Sequence, residues 1–269
     1  MINSLKVAAI QMTSTTNWRT NLDVAITLIK EASEKEARLV VLPEFFIRIG
    51  NQQHIEFNEI VEEIGVGKIQ EALRKIAREC KIYLVAGTMP IKAKGNSKCY
   101  NTTIVYNPDG EMICYYHKLH LFRLDKKEEN IDESAIFMSG EDIVTFNIDN
   151  FSFGLSICYD LRFPELFREM AGVDAIVLPA AFTHYTGQAH WEVLLRARAI
   201  ENQCYVIASA QSGIHETGRH TFGHSMIIEP WGKINSVLKD GQGFIISDIN
   251  KEVIKEIRTL IPALQHKKL

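Results

Sequence analysis

The chain has 269 residues, 46% of them hydrophobic, enough for one large core, because single α/β domains run to about 200 to 250 residues. Its 30 Lys plus Arg against 33 Asp plus Glu leave a formal net charge of -3, and the basic residues are spread along the chain, which argues against nucleic acid as a partner. No window approaches the ~18 consecutive apolar residues of a membrane helix, and the opening "MINSLKVAAIQMTST" lacks a secretory pattern, so a cytosolic (cytoplasmic) protein of one domain over 1–269 is expected.

In chain order, 7–11 reads as a strand and "NWRTNLDVAITLIKEASEKEA" as an amphipathic helix with Leu22, Ala25, Ile26 and Ile29 on one face. "RLVVLP" reads as a buried strand, "GKIQEALRKIAREC" as a helix and "KIYLVAGTM" as another buried strand. "CYNTTIVYNPDGEMICYYHK" has two β-rich arms around Asn107-Pro108-Asp109-Gly110 and predicts a hairpin. The polar stretch "RLDKKEENIDES" reads as a surface loop. "IVTFNIDNFSFGLSIC" predicts a second hairpin around Asp149-Asn150, and "HSMIIEPWGKINSVL" a third around Pro230-Trp231-Gly232. "LVVLPEFF" at 39–46 is echoed by "AIVLPAAF" at 175–182, as matching strands of two halves would be. Hairpins together with covering helices predict an α/β fold of two mixed sheets packed face to face with helices outside each, a four-layer sandwich.

Five cysteines, at 80, 99, 114, 158 and 204, show no CxxC spacing. A disulfide framework or thiolate zinc site is not expected, and a reducing compartment fits. In "FGLSICYDLRFPEL", Cys158 ends an apolar strand ahead of a helix opened by Pro164. A thiol on such a turn, close to backbone N–H groups, suits a nucleophile. The alternative is a small buried hydrophobe, against which stand the polar Asp160 and Arg162 that follow. His117 and His120 are the best-placed histidines for a proton acceptor, but no Asn or Asp partner can be assigned to them, so a cysteine-protease arrangement is unsupported.

Glu44 ends a buried strand beside Phe45 and Phe46, and a desolvated carboxylate is a competent base near neutral pH. The echo puts Ala180 at the corresponding place, so the strand does not itself require an acid there. Lys118 follows the second arm of the first hairpin. By itself it reads as a surface lysine laid over aromatics; taken with Glu44 and Cys158 it can act as the cation that lowers the thiol pKa and meets a developing oxyanion.

"LPEFF", "HKLHLF" and "CYDLRFPEL", in that order, resemble the three catalytic motifs of the nitrilase superfamily of carbon–nitrogen hydrolases, and the resemblance runs from "VAAIQMTST" through "GHSMIIEPWGKI". It implies a nitrilase-like α-β-β-α sandwich and a catalytic triad of Glu44, Lys118 and Cys158. Lys118 and the backbone N–H of Tyr159 would hold the oxyanion, with no metal and no organic cofactor, on a small-molecule amide substrate. "DESAIFMSGED" resembles the stretch carrying an assisting second glutamate, here Glu133, although acids in so polar a segment are mostly solvated.

"TGQAHWEVLLRARAIENQCYVIASAQSG" looks most like the branch that contains deaminated glutathione amidase and omega-amidase. That likeness implies hydrolysis of the terminal carboxamide of a small carboxylate-bearing 2-oxo acid amide, with release of ammonia, and deaminated glutathione as the first choice. 2-Oxoglutaramate, a nitrile or an N-carbamoyl compound are alternatives. Outside that chemistry stand a binding scaffold of the same fold and a metal site built on His117, His120 and a cysteine. Arg162 is the candidate carboxylate clamp, or else the ion-pair partner of Asp160 or Glu165. The resemblance also puts Phe182 and Thr186 near the substrate and implies a homodimer. An aromatic at helical spacing is more often packing than a binding site, which gives His190-Trp191-Glu192 to packing, and the same reasoning gives His120 to orienting the loop after Lys118. The branch usually has an acid where this chain has Arg123.

Overall fold

The computed structural model describes residues 3–50, 55–126 and 129–268. The first sheet runs in the order Gly243–Asn250, Ser4–Gln11, Leu39–Val41, Tyr83–Val85, Cys99–Tyr106 and Met89–Lys92, with Met112–His117 and Phe137–Met138 also paired to Cys99–Tyr106. The second runs Thr145–Ile148, Phe151–Leu155, Ala175–Ala180, Tyr205–Ala210, Ser225–Ile228 and Ile234–Leu238. Both are mixed. Ser4–Gln11 is parallel to Leu39–Val41 but antiparallel to Gly243–Asn250, and Ala175–Ala180 lies between two parallel neighbours while the outer strands are antiparallel. The two echoing segments are thus interior parallel strands, one in each sheet.

Alternation along the strands explains the layering. Val7 and Ala9 join a core that includes Phe153, Leu155 and Ile207, whereas Ala8 and Ile10 join one with Leu22, Ala25 and Ile29 of the helix Trp18–Glu34 and Ile69, Leu73 and Ile76 of the helix Lys68–Cys80. Successive side chains of a strand face opposite ways, so one face meets the other sheet and the other meets helices. On the far side, Trp191, Leu195 and Ala199 of the helix His184–Asn202 pack on the second sheet. Asn17 caps the first helix, its side chain accepting from the N–H groups of Arg19 and Thr20. Ile26 is only partly buried.

The hairpins expected around Asn107–Gly110, Asp149-Asn150 and Pro230–Gly232 all form. Two expectations are corrected. Residues 81–89 do not make one strand: Tyr83–Val85 ends at a turn, and Met89–Lys92 pairs with the next strand instead. Gly87 turns the chain at φ +52°, and a Cβ there would stand 2.2 Å from the Pro43 carbonyl oxygen, so only glycine fits against the segment that leads into Glu44. The polar stretch 123–134 is not a plain loop, because Arg123–Lys126 and Glu129–Asp132 pair antiparallel and Glu133 then enters a short 3-10 turn with its side chain buried.

Candidate active site

Glu44, Lys118, Glu133 and Cys158 come from four loops at strand ends. The Glu44 turn follows Leu39–Val41, and its backbone is pinned from both sides. Phe45, at φ +54°, donates its N–H to Thr88 Oγ1 at 2.9 Å, and Gln211, just past a strand of the other sheet, donates to the Glu44 carbonyl at 3.1 Å. Lys118 continues the strand Met112–His117, its N–H bonding the Asn101 carbonyl at 2.9 Å.

Lys118 is fully buried, and its ammonium donates to Glu44 Oε1 at 2.8 Å and to Glu133 Oε1 and Oε2 at 2.9 and 2.7 Å. Burial works against this charge. Glu133, Glu44 and Cys158 outweigh it and hold the ammonium pKa above the ordinary lysine value. Burial also raises the Glu133 carboxyl, opposed by Lys118, and Glu133 Oε2 accepts the Phe122 N–H at 2.8 Å. Asn101 Nδ2 donates to Glu44 Oε1 at 2.9 Å. Glu44 Oε2, by contrast, is buried with no hydrogen-bond partner among the described residues.

Cys158 opens a 3-10 turn, Cys158–Arg162, at φ +46°, a conformation that side chains other than glycine rarely hold without support. Asp160 supplies that support. Its fully buried carboxylate accepts from Ile157 N–H at 2.8 Å, Tyr116 Oη at 2.7 Å and His120 N–H at 3.0 Å, and it contacts His120 Nδ1 at 2.7 Å. The ring of His120 stacks on Phe163 with centroids 3.7 Å apart. Burial and then the charge of Glu44 push the Cys158 thiol well above its ordinary pKa, while Lys118 and a backbone hydrogen bond from Ala181 pull the other way. The resting sulfur is therefore a thiol, and it requires a base.

Cys158, Tyr159, Arg162, Phe182 and Thr186 line one narrow pocket with Phe122. Its volume is about 10 Å³, room for about one water. Arg162 does not pair with Asp160 or Glu165. Its two terminal nitrogens lie 3.3 Å from His190 Nδ1, and its guanidinium lies over the Phe182 ring at 5.5 Å. Trp191 is core and donates to the His224 carbonyl at 2.8 Å. His117 and His120 face different partners: His117 Nδ1 is 2.7 Å from Thr102 Oγ1 and its ring stacks on Tyr100, with burial lowering its pKa to about 4. Among the described residues no three His, Cys, Asp or Glu side chains gather as a metal site. Arg123 is exposed and faces Asp132 across the small hairpin.

The sequence reading missed Asn101 and Gln211, which hold Glu44, and Tyr116, which holds Asp160. The signal available for Asn101 was a polar side chain inside the otherwise buried "NTTIVY" run. The expectation that His190 only packs is corrected, because its Nδ1 lies 3.3 Å from both terminal nitrogens of Arg162.

A family model described as carbon-nitrogen hydrolase matches residues 6–259. The chain is 43% identical over 267 residues to a deaminated glutathione amidase of Synechocystis, covering 97% of each. It is 35% identical over 270 residues to human omega-amidase NIT2, covering 99% of this chain and 96% of that protein. The crystal structure of Saccharomyces cerevisiae Nit3, described as a member of branch 10 of the nitrilase superfamily, superimposes with a TM-score of 0.88 at 34% identity, covering 97% of this chain and 95% of Nit3.

Proposed function

The chain belongs to the carbon-nitrogen hydrolase family as a nitrilase-branch amidase, and from that premise we propose that residues 1–269 form one catalytic domain in which Cys158 is acylated by a small 2-oxo acid amide. The observation that carries this reading is the unpartnered Glu44 Oε2. Lys118 and Asn101 occupy Oε1, so the second oxygen is left to take the thiol proton. The sulfur attacks the amide carbonyl as that proton moves, and Lys118 with the Tyr159 N–H meets the oxyanion. The carbon–nitrogen bond then breaks, and Glu44 passes the proton to the leaving nitrogen. Water, deprotonated by Glu44, next attacks the thioester, and the thiol and a carboxylic acid are released. Glu133 grips Lys118 through both oxygens and fixes where the ammonium points, a positioning role.

Arg162, steadied by His190, is the clamp for the substrate carboxylate, with Phe182 and Thr186 shaping the same pocket. Deaminated glutathione is the proposed substrate, supported by the name of the 43% identical relative. One correction to the sequence expectation follows from the compound itself. Its γ-amide nitrogen belongs to a cysteinylglycine unit, so cleavage liberates that dipeptide and not ammonia, whereas 2-oxoglutaramate gives ammonia. The product common to both is 2-oxoglutarate. The narrowness of the Cys158 pocket favours 2-oxoglutaramate as the second reading.

The test is 2-oxoglutarate formation from each compound. Wild type is expected to have a kcat/KM at least about tenfold higher on deaminated glutathione, and Arg162→Ala to raise KM for both by roughly 10- to 150-fold, the loss of a charged hydrogen bond. The reverse preference assigns omega-amidase, and no product from either sinks the reading.

A homodimer is proposed as well, supported by exposed Val193 and Ile200 on the helix His184–Asn202 near exposed Trp231. Light scattering should give twice the chain mass, and Val193→Glu with Ile200→Glu should halve it. A wild-type monomer would remove the proposal. The free thiols of all five cysteines support a reducing, cytosolic setting.

A further inference from the structure

The groups of the proposed reaction stand on different sheets. Lys118 continues Met112–His117, which pairs within the first sheet, and Cys158 comes just past Phe151–Leu155 of the second. The Lys118 N–H bonds the Asn101 carbonyl at 2.9 Å, its carbonyl accepts the Gly140 N–H at 2.8 Å, and its ammonium is held by Glu44 and Glu133. None of these partners lies in the second sheet or in the Cys158–Arg162 turn. An ammonium that meets an oxyanion formed on that sulfur therefore needs a brace between the sheets, because a misplacement of about 1 Å can cost about 10²-fold in rate.

Asp160 spans that gap with one fully buried carboxylate. Its Oδ2 accepts the N–H of Ile157, the residue before Cys158, at 2.8 Å and the hydroxyl of Tyr116, two residues before Lys118, at 2.7 Å. Its Oδ1 accepts the N–H of His120, two residues after Lys118, at 3.0 Å and lies 2.7 Å from His120 Nδ1. The carboxylate thus grips the chain on both sides of Lys118 and the turn of the nucleophile at once. Among the described residues, every hydrogen bond between 116–122 and 157–163 ends on Asp160. Ring packing also joins the two segments, His120 on Phe163 and Phe122 on Tyr159, but hydrogen bonds are the directional constraint.

Tyr116 anchors the Lys118 side. Its side chain is 1% exposed and joins the core between the sheets, and its hydroxyl oxygen accepts the Leu119 N–H at 3.4 Å while it donates to Asp160. Burial, then the charge of Asp160 and the hydrogen bond made to it, raise the phenol well above its ordinary pKa, so the group stays a donor. Packing alone does not call for this hydroxyl. Phenylalanine would fill the same core position with no polar atom to satisfy.

We propose that Asp160 and Tyr116 are positioning residues that set the Lys118 ammonium against the Cys158 sulfur, so that the oxyanion forms where the ammonium points. The inference rests on the amidase reading above and deepens it. Support of the strained backbone at Cys158 acts on one residue, whereas this brace acts on the separation of two. Asp160 and Tyr116 work through Lys118 and not on the substrate, so their loss falls on the step that develops charge and leaves binding of the amide alone.

The experiment is a double-mutant cycle on Tyr116 and Lys118, read as 2-oxoglutarate formation from whichever of deaminated glutathione and 2-oxoglutaramate the wild type prefers. Tyr116→Phe is expected to lower kcat by about 20-fold, the size of one hydrogen bond to a charged group, with KM within about twofold. In a Lys118→Met background the same change should cost less than about twofold, because no ammonium is left to aim. Alkylation of Cys158 by iodoacetamide is the second readout. There the sulfur displaces iodide, its proton passes to Glu44 and no oxyanion forms, so the rate in Tyr116→Phe should stay within about twofold of wild type. Asp160→Asn should lose about 10²-fold in kcat; where it does not fold, the Tyr116 cycle decides alone. Unchanged kcat in Tyr116→Phe overturns the proposal, as do equal losses in both backgrounds, which would make Tyr116 a support of the fold only. A fall in alkylation that matches the fall in kcat also overturns it, since the brace would then act on the sulfur and Glu44. No turnover by wild type on either compound defeats the amidase reading and this one with it, a result distinct from turnover with additive losses.

Discussion

Cys158→Ala should lower turnover of the preferred amide by at least about 10⁴-fold, since removal of a nucleophile that acts as part of a unit typically costs about 10⁶ in kcat. Folding should be spared. The side chain is small, and alanine at φ +46° carries the same backbone strain as cysteine, so the expected stability change is within about 1 kcal/mol. The same variant should also lose the acyl-enzyme. Mass spectrometry of wild type quenched during turnover should find 2-oxoglutarate attached as a thioester to the peptide that contains Cys158, with no adduct in Cys158→Ala. The other thiols are poor substitutes, because burial raises Cys114 and Cys204 to about 12 and also raises Cys99. The Cys158 thiol is likewise raised at rest. In the proposed mechanism its reactivity comes from Glu44 Oε2 taking the proton as the bond forms, and not from a standing thiolate. Activity surviving in Cys158→Ala would end the nucleophile assignment.

Legibility in the sequence followed the range of the interactions. The strand carrying Glu44 is a continuous apolar run, and three hairpins are announced by their turn residues, so local periodicity and turn chemistry sufficed for them. Residues 81–89 misled because the chain turns at Gly87 with φ +52°, tight against the Pro43 carbonyl 44 positions earlier, a contact that local pattern does not announce. The stretch 123–134 misled because its charged composition reads as solvent-facing loop, whereas cross-strand pairing of Arg123 with Asp132 and burial of Glu133, whose carboxylate accepts the Phe122 N–H, depend on where the chain lands. Asp160 was visible as a polar residue after Cys158, but its partners, Tyr116 and His120, lie 44 and 40 positions earlier. Arg162 was read beside its sequence neighbours, yet it meets His190, 28 positions later. Residue types in the site were therefore open to sequence reasoning, and pairings across elements were not, since sheet register fixes them.

Lys118→Met should damage both turnover and stability, and the two can be separated. Removing the ammonium leaves Glu44 and Glu133 as buried carboxylates without the cation that both now contact. Breaking a buried ion pair from one side costs about 3–5 kcal/mol, so urea unfolding near pH 7.5 should register a loss of that order. The sign of the pH dependence follows from which form each state prefers. In the wild type the raised Lys118 pKa contributes stability that is complete below the unfolded lysine value and is lost only as pH rises through the folded one, well into the alkaline range. In Lys118→Met the stranded Glu133, whose carboxyl burial already raises, favours the protonated form in the folded state, so the variant should gain on the wild type as pH falls from 8 toward 5. Turnover should fall by about 10³-fold, the effect of removing an oxyanion donor. Glu133→Gln added to Lys118→Met neutralises one stranded carboxylate and should recover part of the stability with none of the turnover. If the double variant recovers both, Lys118 acts only as a counterion. If Lys118→Met alone keeps wild-type turnover, the oxyanion belongs to the Tyr159 N–H and other donors, and Lys118 leaves the triad.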